Sequence, residues 1–274
     1  MLKRFYLIVV FLMPAFGVAA QDTARLDALT DALQLHEIFA VMQQEGLNYG
    51  RDLDRELLNN AGGEKWQQAV DEIYQSERIW QTFLPRFAAE LDGADLEAML
   101  AFFENERGHR IISLELSARR ALLDEDLEQE SREAYHAMLG EGHPRLAMLE
   151  DFIEANDLVE YNVMGAMNAS YAFYNGMIDG QAFDFELTED EILRDVWSQE
   201  AEIRLDTQEW LYGYLMRAYA PLSDDDLQAY IDFSATKAGR VLNAALFAGF
   251  DEVFTNVSKA LGLSAAGFMQ GEDL

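Results

Sequence analysis

The sequence predicts an all-α protein in which two related helical repeat units pack together after a cleaved signal peptide. Apolar residues recur at helical spacing, as at Leu96, Met99 and Phe103, whereas no stretch alternates over enough residues to form a strand. A shift of 131 residues aligns 66–112 with 197–243, and 11 of these 47 aligned positions are identical. The periodicity and the internal match together favour a duplicated helical unit.

We expect the chain to divide into three segments. These are a signal peptide over 1–20, a first helical unit over 21–140 and a second helical unit over 141–274. The boundary between the units follows from 140–144, GEGHP, where glycines and a proline interrupt the helical pattern. A chain of 274 residues is long enough to bury a core without a disulfide or a metal, and this one contains no Cys.

The first twenty residues have the order of a signal peptide. Lys3 and Arg4 are basic, 5–16 is apolar but too short to span a bilayer, and Ala20 is a small residue at the cleavage position. No Cys follows that would carry a lipid anchor. The apolar stretch 158–178 contains Glu and Asn residues and is predicted to be a buried helix. We therefore expect a periplasmic or secreted protein without a stable membrane anchor.

The acidity of the chain limits its partners. There are 20 Lys and Arg residues against 50 Asp and Glu residues, which gives a net charge of −30. Without a segregated basic patch, such a protein repels phosphate, so nucleic acid is excluded as a partner and anionic membrane surfaces are disfavoured. The excess of acid serves solubility or, alternatively, attracts a basic partner.

Two aligned segments carry the clearest helix-start signals. They read LDGADLEAMLAFFENERG over 91–108 and LSDDDLQAYIDFSATKAG over 222–239. Asp92 and Ser223 are predicted N-caps, because their side-chain oxygens can accept from a free N–H of the first turn. Each acid three residues later stands in the place of a capping-box residue.

A second helix start follows in each segment. Asn105 and Thr236 are cap-type residues, and Gly108 and Gly239 then fall in the first helical turn. Glycine in a helix costs roughly 0.5–1 kcal/mol against alanine, which implies a packing reason. We expect the missing side chain to let each helix press closely on its predecessor.

These segments resemble the exported bacterial family catalogued as domain of unknown function 2059, whose stretch commonly reads FYxSPxG. Here Glu106 and Lys237 stand where that family has proline, and Ser234 replaces the second aromatic residue. The resemblance implies an all-helical periplasmic protein and no particular activity. The matching residues are Phe102, Phe103, Asn105 and Gly108 in one copy, and Phe233, Thr236 and Gly239 in the other.

One pattern resembles a nucleophilic site. Ser234 and Lys237 form an SxxK, the arrangement that places a serine beside a lysine in penicillin-binding proteins and β-lactamases. The chain has no SDN or KTG pattern and no predicted sheet, so a structural role is favoured. A serine hydrolase is the third function considered.

Metal and cofactor sites are not predicted. Glu106/His109 and Glu133/His136 are ExxH pairs of the kind used in di-iron bundles. Glu106, however, lies beside a predicted helix start, where it serves the helix dipole, and the second copy has Lys237 and Arg240 in place of Glu106 and His109. The acidic run at 224–226 lacks a calcium-loop pattern and reads as a helix start. We expect no metal and no cofactor.

The stretch after Asp157 is the best candidate for a ligand cleft. Asp157 and Glu160 are predicted to form a capping box, and Asn168, Tyr171 and Asn175 share one face of the following helix. These polar groups either order the core by hydrogen bonding or bind a ligand. A second face consists of small residues suited to close helix contact, namely Gly165, Ala169, Ala172 and Gly176.

The function predicted from the sequence is a non-enzymatic periplasmic protein that binds another protein or a peptide. This follows from the absence of a strong catalytic motif and from the grooves that packed helices offer. The alternative is a small-molecule-binding protein that uses the cleft beside the 157–180 helix.

Overall fold

The computed structural model of the protein describes residues 16–183 and 187–271, with side chains from residue 22 onward. This part of the chain forms thirteen α-helices and no strand, which confirms the all-α prediction. The predicted signal peptide lies mostly outside the described residues. In chain order the helices are α1 (Phe16–Ala32), α2 (Leu35–Glu56), α3 (Gly63–Ile73), α4 (Ser76–Glu90), α5 (Leu96–Phe103), α6 (Glu106–Ala121), α7 (Glu125–Glu141), α8 (Arg145–Ala155), α9 (Leu158–Asp179), α10 (Glu189–Ser198), α11 (Glu200–Tyr219), α12 (Asp224–Ser234) and α13 (Lys237–Met269).

Two large groups of buried apolar side chains hold these helices together. The first joins α1–α5 to the long α13, and in it Phe83 stacks on Phe87 and meets Phe39 edge-on. The second joins α6, α8, α11 and α12 around Leu149 and Leu215. A smaller group joins α9 to α10. Because α13 shares a core with α1–α5, residues that are distant in sequence bury each other.

Helices α9 and α13 approach each other closely through glycine, as the face of small residues predicts. A Cβ built on Gly176 would lie 2.8 Å from the backbone nitrogen of Leu263, and one on Gly262 would lie 3.0 Å from that of Met177. Side chains at these positions would push the helices apart. The prediction of close contact is confirmed at Gly176, whereas Gly165 has only a distant neighbour in Asp251.

The two aligned segments adopt the same local structure. The side chain of Asn105 accepts from the backbone N–H of Gly108, and that of Thr236 accepts from the N–H of Gly239, each at 3.0 Å. A Cβ on Gly239 would overlap the carbonyl oxygen of Phe233, and Gly108 is equally crowded by the end of α5. The predicted second helix starts, and the packing reason for both glycines, are confirmed.

The two segments also meet each other. Phe102 and Phe233, which occupy equivalent positions in the 131-residue alignment, stack with ring centroids 4.3 Å apart. Phe103 packs edge-on against both rings, and Tyr230 stacks on Phe102. A residue that contacts its own equivalent is the arrangement expected near a pseudo-twofold axis. The α5–α6 and α12–α13 junctions therefore face one another.

The predicted N-caps are half correct. Ser223 caps α12 by accepting from Asp226 N at 3.1 Å, as expected. The prediction for Asp92 is wrong, because Asp95 caps α5 instead and accepts from Ala98 N at 3.1 Å. Gly93 adopts a φ of 70°, so the chain turns once more before this helix begins.

The capping box predicted at Asp157 and Glu160 is also wrong. Asp157 has a φ of 51° and makes no side-chain cap hydrogen bond. The Glu160 carboxylate instead pairs with the guanidinium of Arg204 on α11.

The helix break at 140–144 lies where it is predicted, with Gly142 as a left-handed C-cap of α7. The assignment of 21–140 and 141–274 as two units stays a prediction.

Candidate functional site

A cavity of about 110 Å³ lies where the two facing junctions come together. Phe103 of α5, Tyr230 and Phe233 of the α12 region and Phe250 of α13 give it an aromatic wall. Its polar side chains are Glu115, Asn156, Ser234 and Asn243. We call this space the Glu115 cavity.

Glu115 is the ionisable group of the cavity. Burial raises the pKa of its carboxyl group to about 7, although hydrogen bonds from Tyr219 and Tyr230 oppose the shift. The Tyr219 hydroxyl donates to the Glu115 carboxylate at 2.5 Å. Within the described residues no Lys or Arg forms an ion pair with this carboxylate. Among the described residues, the hydrogen-bond donors to this acid are therefore neutral tyrosine hydroxyls, which do not balance its charge.

The titratable groups that face Glu115 come from its own helix and from α11, α12 and α2. The pKa values of Tyr214, Tyr219 and Tyr230 lie well above the usual value. Burial is the larger cause, and the negative charge of Glu115 is the second. Arg119, four residues further along α6, is engaged elsewhere: its Nε and Nη2 donate to the two Glu45 oxygens, each at 2.8 Å. This bidentate pair joins α6 to α2.

The amides of the cavity offer acceptors. Asn243 Nδ2 donates to the Asn156 carbonyl oxygen at 2.8 Å, and Asn156 Nδ2 donates to the Phe152 carbonyl oxygen at 2.9 Å. Each amide spends one of its two N–H donors in these bonds, and its oxygen can still accept. Together with Glu115, they give the Glu115 cavity three side chains with acceptor oxygens.

A second and larger concave surface lies between α7, α8 and α11. This groove has a volume of about 710 Å³, within the range of roughly 300–1,000 Å³ that is usual for binding pockets. We call it the α7–α8–α11 groove. Its apolar side chains are Ala134, Met138, Leu149, Leu215 and Met216.

Two arginines line the α7–α8–α11 groove. Arg145 is tied to Asp224 at 2.6 Å and to the carbonyl oxygens that end α11. Arg217 donates from Nε to the Ser131 hydroxyl at 2.9 Å and, among the described residues, has no carboxylate partner. Arg217 thus brings to the groove a half-buried guanidinium that forms no ion pair among the described residues, and Glu130 also lines the groove.

The residues proposed for a cleft beside α9 lie at its surface. Asn168 is exposed, and its Nδ2 donates to Asp251 of α13 at 2.9 Å. Tyr171 is half-buried and donates to Glu189 of α10 at 3.1 Å, and Asn175 is half-buried. These contacts link α9 to its neighbours. Both cavities described above lie elsewhere.

Ser234 and Lys237 do not share a helical turn. Ser234 is the last residue of α12 and is buried, whereas Lys237 is the first residue of α13 and is exposed. The ExxH histidine His136 lies 3.2 Å from Glu209. Nowhere in the described ranges do three or more His, Cys, Asp or Glu side chains converge on a position that could hold a metal ion.

None of the family models matches this chain, and the searches of curated proteins and of solved structures return no match either. The resemblance to domain of unknown function 2059 therefore stays a prediction. Among residues 16–183 and 187–271, no helix combines the length and the apolar character that a membrane span requires.

Proposed function

We propose that this chain is a non-enzymatic protein, exported to the periplasm or beyond, that binds the carboxyl-terminal segment of another protein or peptide. The α7–α8–α11 groove is the binding site. The observation that carries the proposal is the pairing of an apolar groove with Arg217, a guanidinium without a carboxylate partner among the described residues.

The chemistry of the groove suits a peptide that ends in a carboxylate. A guanidinium presents donors in a planar fork that matches a carboxylate. Met138 and Met216 provide adaptable apolar contacts, as in proteins that accept varied peptides. Capture of a terminal carboxylate by fixed donors is a recurring mode of peptide recognition.

Export is supported by the sequence alone. The basic Lys3 and Arg4, the apolar 5–16 and the small Ala20 follow the order of a signal peptide.

The proposal can be tested by photo-cross-linking in the native compartment. A benzoylphenylalanine at Ala134 lies in the α7–α8–α11 groove, and one at Ala137 on the same exposed helix does not line it. We expect the first to give an adduct whose cross-linked peptide is the carboxyl terminus of a partner. Arg217→Gln should lower the yield.

Two results would refute this function. One is the same set of adducts from both positions. The other is a set of internal peptides from the Ala134 position with a yield that Arg217→Gln leaves unchanged.

A further inference from the structure

We propose that the Glu115 cavity binds a small aliphatic ammonium ion, with the Glu115 carboxylate as its counter-ion. This site is separate from the α7–α8–α11 groove and does not depend on the peptide-binding proposal. Three properties of the cavity carry it: its charge, its acceptors and its size.

The charge of the cavity is uncompensated. Glu115 has tyrosine hydroxyls as partners, and Arg119, four residues further along the same helix, is held by both oxygens of Glu45. A carboxylate that has lost water without gaining a cation is electrostatically unfavourable, as its raised pKa reflects. A cation that enters the cavity removes this penalty. Its attraction to the carboxylate is also stronger there than the attraction between the same two charges in water.

The hydrogen-bonding groups select a donor. The ammonium group has three N–H donors and no acceptor. Glu115, Asn156 and Asn243 line the cavity, and their side-chain oxygens are hydrogen-bond acceptors. The Glu115 carboxylate repels an anion, and a neutral carbonyl compound would leave the charge of that carboxylate uncompensated.

The remaining wall suits the alkyl part of such an ion. Phe103, Tyr230 and Phe233 present aromatic rings, which attract cations through their faces and pack against methylene groups. The volume of about 110 Å³ is well below the roughly 300 Å³ of the smallest usual ligand pockets. The ligand is therefore limited to a few non-hydrogen atoms.

The experiment compares two probes of the same size and different charge. Butylammonium chloride and 1-butanol are titrated through the millimolar range, the scale expected for so small a ligand, by calorimetry at constant ionic strength. At about pH 8 an alkylammonium is protonated and Glu115 is ionised. We expect saturable binding of butylammonium that exceeds binding of 1-butanol by at least about tenfold.

Glu115→Gln removes the charge but keeps an oxygen that can accept from Tyr219. It should lower butylammonium affinity by about tenfold or more, the size of effect expected for loss of a buried counter-ion. Glu154→Gln, on the exposed face of α8, should leave the affinity unchanged. A second readout needs no variant: near pH 6, binding to the unmodified protein should release a proton, measured as a dependence of the heat on the buffer.

Three outcomes would overturn the proposal. The first is equal binding of 1-butanol, which would make the cavity a purely apolar one. The second is butylammonium affinity that Glu115→Gln leaves intact, together with no proton release. The third is the absence of any binding of butylammonium to the unmodified protein through the millimolar range.

Discussion

Replacing Glu115 by Gln should stabilise the protein in a way that depends on pH. The pKa of the Glu115 carboxyl group rises from 4.5 to about 7 in the folded state, chiefly because burial disfavours its charged form. The folded protein therefore holds a proton between these pH values that the unfolded chain has already lost. The contribution of Glu115 to the free energy of unfolding is therefore fully present below about pH 4.5 and is lost as the pH rises through about 7.

The size of the effect follows from the shift. A difference of this size corresponds to roughly 3 kcal/mol between the two protonation states. Water that enters the cavity reduces this penalty, so we expect Glu115→Gln to gain about 1–3 kcal/mol at about pH 8. At about pH 4.5 the gain should be close to zero, because the amide and the protonated acid make similar hydrogen bonds.

Urea unfolding of both proteins at several pH values measures this difference. Acids whose pKa values are lowered, such as Asp226 and Glu160, contribute equally to both proteins and cancel. Glu154→Gln serves as the exposed control. A gain that does not grow with pH, or a loss of stability at about pH 8, would refute the account of a desolvated carboxyl group.

Two further predictions concern the helix junctions. Gly239→Ala should lower the free energy of unfolding in urea by about 1–3 kcal/mol, because its Cβ would lie 2.8 Å from the Ser234 Cα. The control Gly140→Ala, whose Cβ would have no atom within 4 Å, should be neutral or stabilising. Equal effects of the two substitutions would contradict the close approach at Gly239. Thr188→Ala should lower the free energy of unfolding by about 1 kcal/mol, because it removes the capping box that Thr188 forms with Glu191 at the start of α10. The control Thr82→Ala, in the middle of α4, should change it by less than about 0.5 kcal/mol. No loss of stability in Thr188→Ala would show that the cap contributes nothing.

Local signals in the sequence predict local features of this fold. The caps at Asn105, Thr236 and Ser223 and the crowded Gly108 and Gly239 depend on residues within a few positions, so their roles follow from the pattern. Asp92 and Asp95 are both competent caps three residues apart, and the sequence does not distinguish them. The turn at Gly93 decides between them.

The candidate sites could not be predicted in the same way. Glu115 lies in the middle of a charged helix, and its partners Tyr219 and Tyr230 are more than a hundred residues away. Arg217 aligns with Arg86 in the internal match, but only the packing of α7 on α11 makes it a groove residue. Burial and distant contacts give both residues their significance, and neither property appears in local spacing.

The Glu115 cavity exists because the α5–α6 and α12–α13 junctions face each other, and the contact between Phe102 and Phe233 tests this directly. A double-mutant cycle with Phe102→Leu and Phe233→Leu, followed by urea unfolding, measures the coupling between the two rings. We expect a coupling free energy of about 0.5–1.5 kcal/mol, the value typical of stacked aromatic pairs. Additive effects, with a coupling below about 0.3 kcal/mol, would contradict the facing arrangement on which the cavity depends.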